Sequence, residues 1–285
     1  VLRNRRFRWA VVPAAVLVVL ALAGCSQQQE FGFLPITSLN TTNHTSEVVG
    51  LWDTSWLVLL GVGILTWGLI IWAAVVYRRR KGQTGLPVQL RYNMPIEIFY
   101  TIVPLILVLG FFAFTAKTQN NIETPPTAAP QVKIDVYGQR WAWTFDYMNE
   151  KVYSPGIQAQ VEANTGALTQ PLNTLYLPVN KRVQITIFSR DVAHSFWIVN
   201  FLYKKDMIPG KANYMYFVPE KIGTYQGKCA ELCGQYHSLM LFQVKVVSDT
   251  DYQAYITAQR KIHPGLLGAN YNANTNLPGT GAPKG

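Results

Sequence analysis

The sequence predicts an α+β membrane protein, a two-helix transmembrane hairpin followed by a β-sandwich. Three observations carry that class. Two apolar runs without a charge, Ser55 to Tyr77 and Ile98 to Ala116, lie in the first 116 residues. A basic cluster, Arg78 to Lys81, directly follows the first run. From about residue 131 the pattern changes to period two: Val132, Ile134 and Val136 alternate with Lys133, Asp135 and Tyr137. The same alternation returns at Val183, Ile185 and Ile187 and at Phe242, Val244 and Val246. Alternation marks half-buried strands, and several of them between Gly, Pro and Asn turns mark a sandwich.

Residues 1–24 have an arginine-rich start and a short apolar run, the form of a secretory signal peptide. Leu22-Ala23-Gly24-Cys25 resembles a bacterial lipobox, which makes Cys25 a lipidation candidate; the alternative is an ordinary signal peptide beside a chance cysteine. Residues 25–50 are polar and are expected to be an exposed exoplasmic tether. The first membrane helix is expected over 51–77, with Trp52 and Trp56 at one interface and Trp72 and Tyr77 at the other. The Arg78–Lys81 cluster makes its far end cytoplasmic by the positive-inside rule. Residues 78–95 are then a cytoplasmic loop, and 96–116 a second helix that returns the chain to the outside, kinked at Pro104. Residues 117–130, with three prolines, read as an extended linker. The β domain is expected over 131–248, with 149–174 as a surface excursion. Ser248-Asp-Thr-Asp251 resembles a capping box, so 249–285 should be a short helix to about Lys261 and a disordered tail.

The formal net charge of +10 does not indicate nucleic acid. Arg3, Arg5, Arg6 and Arg8 lie in the signal segment, and Arg78 to Lys81 form the topology signal.

The chemistry concentrates between Cys229 and Met240, which reads C-A-E-L-C-G-Q-Y-H-S-L-M. Thiolate, imidazole and thioether are soft or borderline donors and suit copper better than magnesium, calcium or manganese. The Glu231 carbonyl could add a donor, and His194, in D-V-A-H-S, is the candidate from elsewhere in the chain. Two thiolates shared by two metal ions, with one histidine each, would use every donor. A disulfide is the usual state of two exoplasmic cysteines, but it explains neither His237 nor Met240. A zinc site has no use for Met240.

C-x-E-x-C-x-x-x-H-x-x-M with the upstream D-V-x-H-S resembles the dinuclear copper A site of cytochrome c oxidase subunit II, in its bacterial lipoprotein form. The resemblance spans the hairpin, the W-A-W stretch at 141–143 and the β domain. It implies a cupredoxin-like Greek-key sandwich. It also implies that Cys229 and Cys233 bridge two coppers, with His194 and Met240 completing one and His237 and the Glu231 carbonyl the other. The Glu231 carboxylate would bind magnesium at the contact with subunit I, with Asp206 bound to that ion through water or simply a turn aspartate. Trp141 would be the entry point for electrons, and Glu97, in I-E-I-F-Y-T-I-V-P, the mouth of a proton pathway; a snorkelling interfacial carboxylate is the plain alternative for Glu97. Asp191 is expected to orient its loop.

The implied function is electron entry. Subunit II takes electrons from a c-type cytochrome and passes them to the haem-copper subunit I, which reduces oxygen to water and pumps protons. Neither apolar run contains histidine, so no haem is expected on this chain. The implied place is the bacterial plasma membrane, with both termini and the copper domain exoplasmic and Cys25 as a lipid anchor. The family's acidic docking surface is not evident, because residues 117–285 hold 16 Lys or Arg against 11 Asp or Glu. That balance predicts a cytochrome that is membrane-tethered or part of an associated bc complex. A lipid-anchored copper carrier would not need the full donor set, and a quinol oxidase subunit would normally lack the two thiols.

Overall fold

The computed structural model describes Ser26, residues 34–86 and residues 89–272. The expected signal segment, Cys25 and the last part of the tail lie outside the described residues.

Two long helices come first. Helix α1 spans Thr45–Val76 and α2 spans Met94–Glu123. Both are long and apolar enough to cross a membrane. At 32 and 30 residues they reach about 45 to 48 Å at 1.5 Å per residue, more than the ~30 Å hydrocarbon core. Each therefore extends past its apolar run into polar sequence. Pro104 lies inside α2, which continues on both sides of it.

The helix ends differ from the sequence expectation. Helix α1 begins at Thr45 rather than at 51, and the described part of the expected tether is not exposed throughout: Ser38, Thr41, Thr42 and Thr45 are buried. Short hydroxyl side chains satisfy backbone groups there, as when Thr41 Oγ1 donates to the Asn200 carbonyl at 2.7 Å. Asn43 Oδ1 accepts from Val218 N–H at 2.7 Å and fastens the segment to the β domain. Polar composition suggested exposure, but the threonine hydroxyls of this segment are spent on internal hydrogen bonds. The expected linker is helical as far as Glu123, since nothing breaks the helix before Pro125.

Ten strands follow: β1 (Val132–Gln139), β2 (Ala142–Tyr147), β3 (Val152–Ser154), β4 (Thr174–Pro178), β5 (Val183–Ser189), β6 (His194–Ile198), β7 (Tyr203–Met207), β8 (Asn213–Phe217), β9 (Gly223–Cys229) and β10 (Leu241–Val247). One sheet has the order β3-β2-β1-β5-β8 and the other β4-β10-β9-β6-β7. The pairs β1/β5 and β4/β10 are parallel and the other pairs antiparallel, so the chain crosses between sheets as a cupredoxin-like sandwich requires. The expected excursion at 149–174 contains β3, a strand of three residues and too short to show a period.

The period-two positions point inward: Val132, Ile134, Val136, Ile185, Ile187, Val244 and Val246 are buried. Between the sheets, Phe196 stacks on Phe242 with ring centroids 4.7 Å apart, and Trp143 meets both. Gly227 makes this possible, because a Cβ there would lie 2.1 Å from the Phe242 ring. Helix α3, Asp249–Ile262, is capped by Ser248, whose hydroxyl accepts from Asp251 N–H at 3.1 Å. It buries Tyr252 and Ile256 and stacks Tyr255 on Tyr176. The chain then crosses the outer face of the first sheet, where Leu267 N–H donates to Asp146 and the Tyr271 ring packs edge-on against Tyr137.

Candidate metal centre

The site forms where strands of the second sheet end. His194 opens β6, Cys229 closes β9, and residues 230–240 form the loop into β10. That loop is tied down by backbone bonds: Cys229 N–H donates to the Met240 carbonyl and Ala230 N–H to the Ser195 carbonyl, each at 3.1 Å. Trp143 Nε1 adds a third bond to the Met240 carbonyl, also 3.1 Å. A core tryptophan therefore sets the height of the loop over the sandwich. A single turn, His237–Leu239, aims the last donors back at the thiols.

The geometry gathers every sequence-predicted donor. Cys229 Sγ lies 3.9 Å from Cys233 Sγ, far beyond the roughly 2 Å of a disulfide, so both thiols are free. His194 Nδ1 is 3.8 Å from Cys229 Sγ, and His237 Nδ1 is 3.5 Å from Cys233 Sγ. Met240 Sδ is 3.8 Å from Cys233 Sγ, and the Glu231 carbonyl accepts from the Cys229 thiol at 3.2 Å. His194, Cys229 and Cys233 are buried, with ligand atoms within 4.8 Å of one another, the spacing a metal ion needs. Soft and borderline donors grouped around two unbonded thiols fit copper.

Asp191 does more than hold its loop. Its carboxylate accepts from His194 Nε2 at 2.8 Å and from the N–H groups of Arg140 and Val192 at 2.7 Å each, with Arg140 Nε at 3.4 Å. Burial opposes the Asp191 charge, but these hydrogen bonds outweigh it and hold its pKa at about 2. The ionised carboxylate fixes the proton on His194 Nε2 and leaves Nδ1 facing Cys229, as partners of metal-ligating histidines do. Burial lowers the His194 pKa, yet bonds to Asp191 and Cys229 raise it overall. Burial likewise opposes the Cys229 thiolate, and bonds from His194 and from the backbone at Ser195 and Glu231 bring its pKa down to about 7. Cys233 is pushed up to about 12 by burial and by its neighbour Cys229.

The remaining candidates sit at graded distances from this cluster. Trp141 is half-buried beside the loop, edge-on to Tyr236 at 4.9 Å. A Cβ on Gly234 would lie 3.2 Å from the Trp141 ring, and Gly234 has φ +124°, so glycine is required there on both counts. Glu231 and Asp206 are exposed. Register places Asp206 opposite Ser195, the residue whose carbonyl holds Ala230, so the two acids lie one strand apart. Glu97 stands apart, in the first turn of α2, where its carboxylate accepts from Asn93 N–H at 2.9 Å. Arg140, and Asp191 as the partner of His194, were not foreseen. Asp191 carried a signal in its place three residues before His194; Arg140 carried none, because its partner lies 51 residues away.

The family model for the periplasmic domain of cytochrome c oxidase subunit II matches residues 132–247, which contain all the gathered donors. A probable cytochrome c oxidase subunit 2 from Streptomyces avermitilis is 38% identical, over 85% of this chain and 83% of its own length. The chain belongs to the cytochrome c oxidase subunit II family. A cytochrome c oxidase subunit 2 from Mycobacterium tuberculosis is 31% identical over 85% of this chain and 80% of its own length. The crystallised periplasmic domain of subunit II from Bradyrhizobium japonicum is 27% identical and covers 48% of this chain, with a TM-score of 0.42. As a member of the subunit II family the chain is part of an oxidoreductase complex of the membrane, with a candidate metal site in the β domain that follows two apolar helices.

Proposed function

We propose that this chain is the electron-entry subunit of its oxidase. It takes electrons from a c-type cytochrome and delivers them to the haem-copper subunit I. The observation that carries this reading is the convergence of four further donors, from β6 and one loop, on two free thiols. His194, Cys229, Glu231 through its carbonyl, Cys233, His237 and Met240 would hold a dinuclear copper A centre. When bound, such a centre supplies reversible one-electron chemistry spread over two metals. The protein's part is to keep the ligands still. Asp191 orients His194, Trp143 holds the Met240 carbonyl, and the loop is fastened to both neighbouring strands. Trp141, packed on the loop beside Tyr236, is the residue through which an electron enters.

The finer roles follow the same reading. Glu231 and Asp206 expose carboxylates one strand apart, a hard-oxygen pair suited to magnesium at the contact with subunit I. Glu97 opens α2 at the end far from the sandwich and would admit protons from the cytoplasmic side. Cys25 would carry the lipid anchor. The sandwich would lie on the exoplasmic side, with a tethered cytochrome as donor.

Metal stoichiometry and spectra of the purified oxidase test the reading. Two coppers on this subunit with a mixed-valence signal support it, and Cys229→Ser should abolish that signal while the sandwich still folds. One exchangeable copper, or an unchanged spectrum in the serine variant, refutes it.

A further inference from the structure

The hairpin and the sandwich meet at a groove that the oxidase reading does not use. Its volume is about 330 Å³. Val48 and Leu51 of α1, Ile122 of α2 and Leu202 before β7 give it an apolar floor, with Thr118 and Lys204 among its polar groups. Its acid, Glu123, is engaged by the Lys205 ammonium and by the Tyr203 hydroxyl at 3.4 Å. Glu47 lies outside the walls and is held by Asn121 at 3.3 Å. Lys204 is exposed and forms no ion pair among the described residues. The groove thus has one uncommitted positive charge above an apolar floor.

The sequence fixes its depth. On α2 the uncharged run ends at Ala116 and polar residues begin at Lys117, so the groove straddles that boundary. On α1, Trp52 and Trp56 lie within two turns of Leu51 or Val48, edge to face at 5.9 Å, the residue type that settles at the membrane interface. With Arg78 to Lys81 inside, this is headgroup level in the outer leaflet. Toward the membrane from the groove both helices expose apolar side chains, among them Leu57 and Phe114. A small soluble anion would leave that floor wet, whereas a lipid fills both parts.

We propose that this groove is a binding site for one anionic phospholipid of the outer leaflet, its phosphate on Lys204 and its acyl chain on the floor. The site rests on the membrane orientation and not on the metal. Its test uses the assembled oxidase in nanodiscs of phosphatidylglycerol and phosphatidylcholine, with a photoactivatable form of either lipid, and maps the crosslinked peptides. Phosphatidylglycerol should label the groove peptides. Lys204→Gln should cut that labelling about five-fold, the equivalent of about 1 kcal/mol for one basic residue near an anionic surface, and cut phosphatidylcholine labelling less, because choline offsets its phosphate charge. Leu51→Trp, which fills the floor, should reduce labelling by both lipids. Equal phosphatidylglycerol labelling of the wild type and Lys204→Gln would overturn the proposal, as would a neighbouring subunit's helix filling the groove in the assembled complex. Copper content, measured on the same samples, reports separately on the metal reading.

Discussion

The hairpin and the sandwich treat the same residue types in opposite ways. In the sandwich Trp143, Phe196 and Phe242 are fully buried and pack ring against ring. In the hairpin Ile64 and Phe112 are 74% and 71% exposed. The first region supplies its own apolar environment; the second needs lipid or another chain to supply it. The candidate metal centre belongs wholly to the self-sufficient region: its donors lie at the ends of β6 and β9 and on the loop that joins β9 to β10, over the packed core. A perturbation of the sandwich should therefore reach the metal, and one in the hairpin should not.

Asp191→Ala sharpens that contrast most. It removes the group that orients His194, and loss of such a partner typically costs about 10- to 100-fold in metal affinity. Copper titration of the purified oxidase against a competing chelator would show it. Gly227→Ala comes next, forcing a Cβ into the Phe242 ring and costing the sandwich about 1 to 3 kcal/mol. Gly61→Ala in α1, where a Cβ meets nothing within 4 Å, is the control and should be near neutral. Denaturant unfolding of both variants checks the pair, and equal losses would break the contrast. Glu97→Gln should leave copper content and unfolding unchanged and slow only oxygen turnover.

The smallest effect is on pH dependence. Asp146 faces Asp135 across the β1/β2 ladder and the Leu267 N–H from the chain above. Burial first, and then Asp135, raise its pKa from 3.8 to about 6 against the pull of Leu267. The folded state thus holds this proton more tightly than the unfolded chain. Its stabilising contribution is complete below pH 3.8 and is lost as the pH rises to about 6. Asp146→Asn should flatten that part of the stability curve in unfolding titrations.

The sandwich strands were legible because one face of each is buried, which stamps period two on β1, β5 and β10. The donors were legible because five of the six lie within twelve consecutive residues, Cys229 to Met240. What was hidden depends on partners distant in the chain. Arg140 reaches Asp191, Trp143 reaches Met240, and Thr41 reaches Asn200, and no local pattern announces any of these. The helix ends were hidden for another reason: hydropathy reports where a chain can sit in lipid, while the helices continue into polar sequence until caps or prolines stop them.

The most direct test of the central claim is the copper-to-protein ratio of the β domain within the purified oxidase, measured with its electron-paramagnetic spectrum. The account predicts two coppers per chain beyond the copper of the haem-copper subunit, and one mixed-valence signal that Cys229→Ser and Cys233→Ser each remove completely, because each thiol lies among donors of both proposed ions. A single copper per chain, or a signal that survives either substitution, would contradict it.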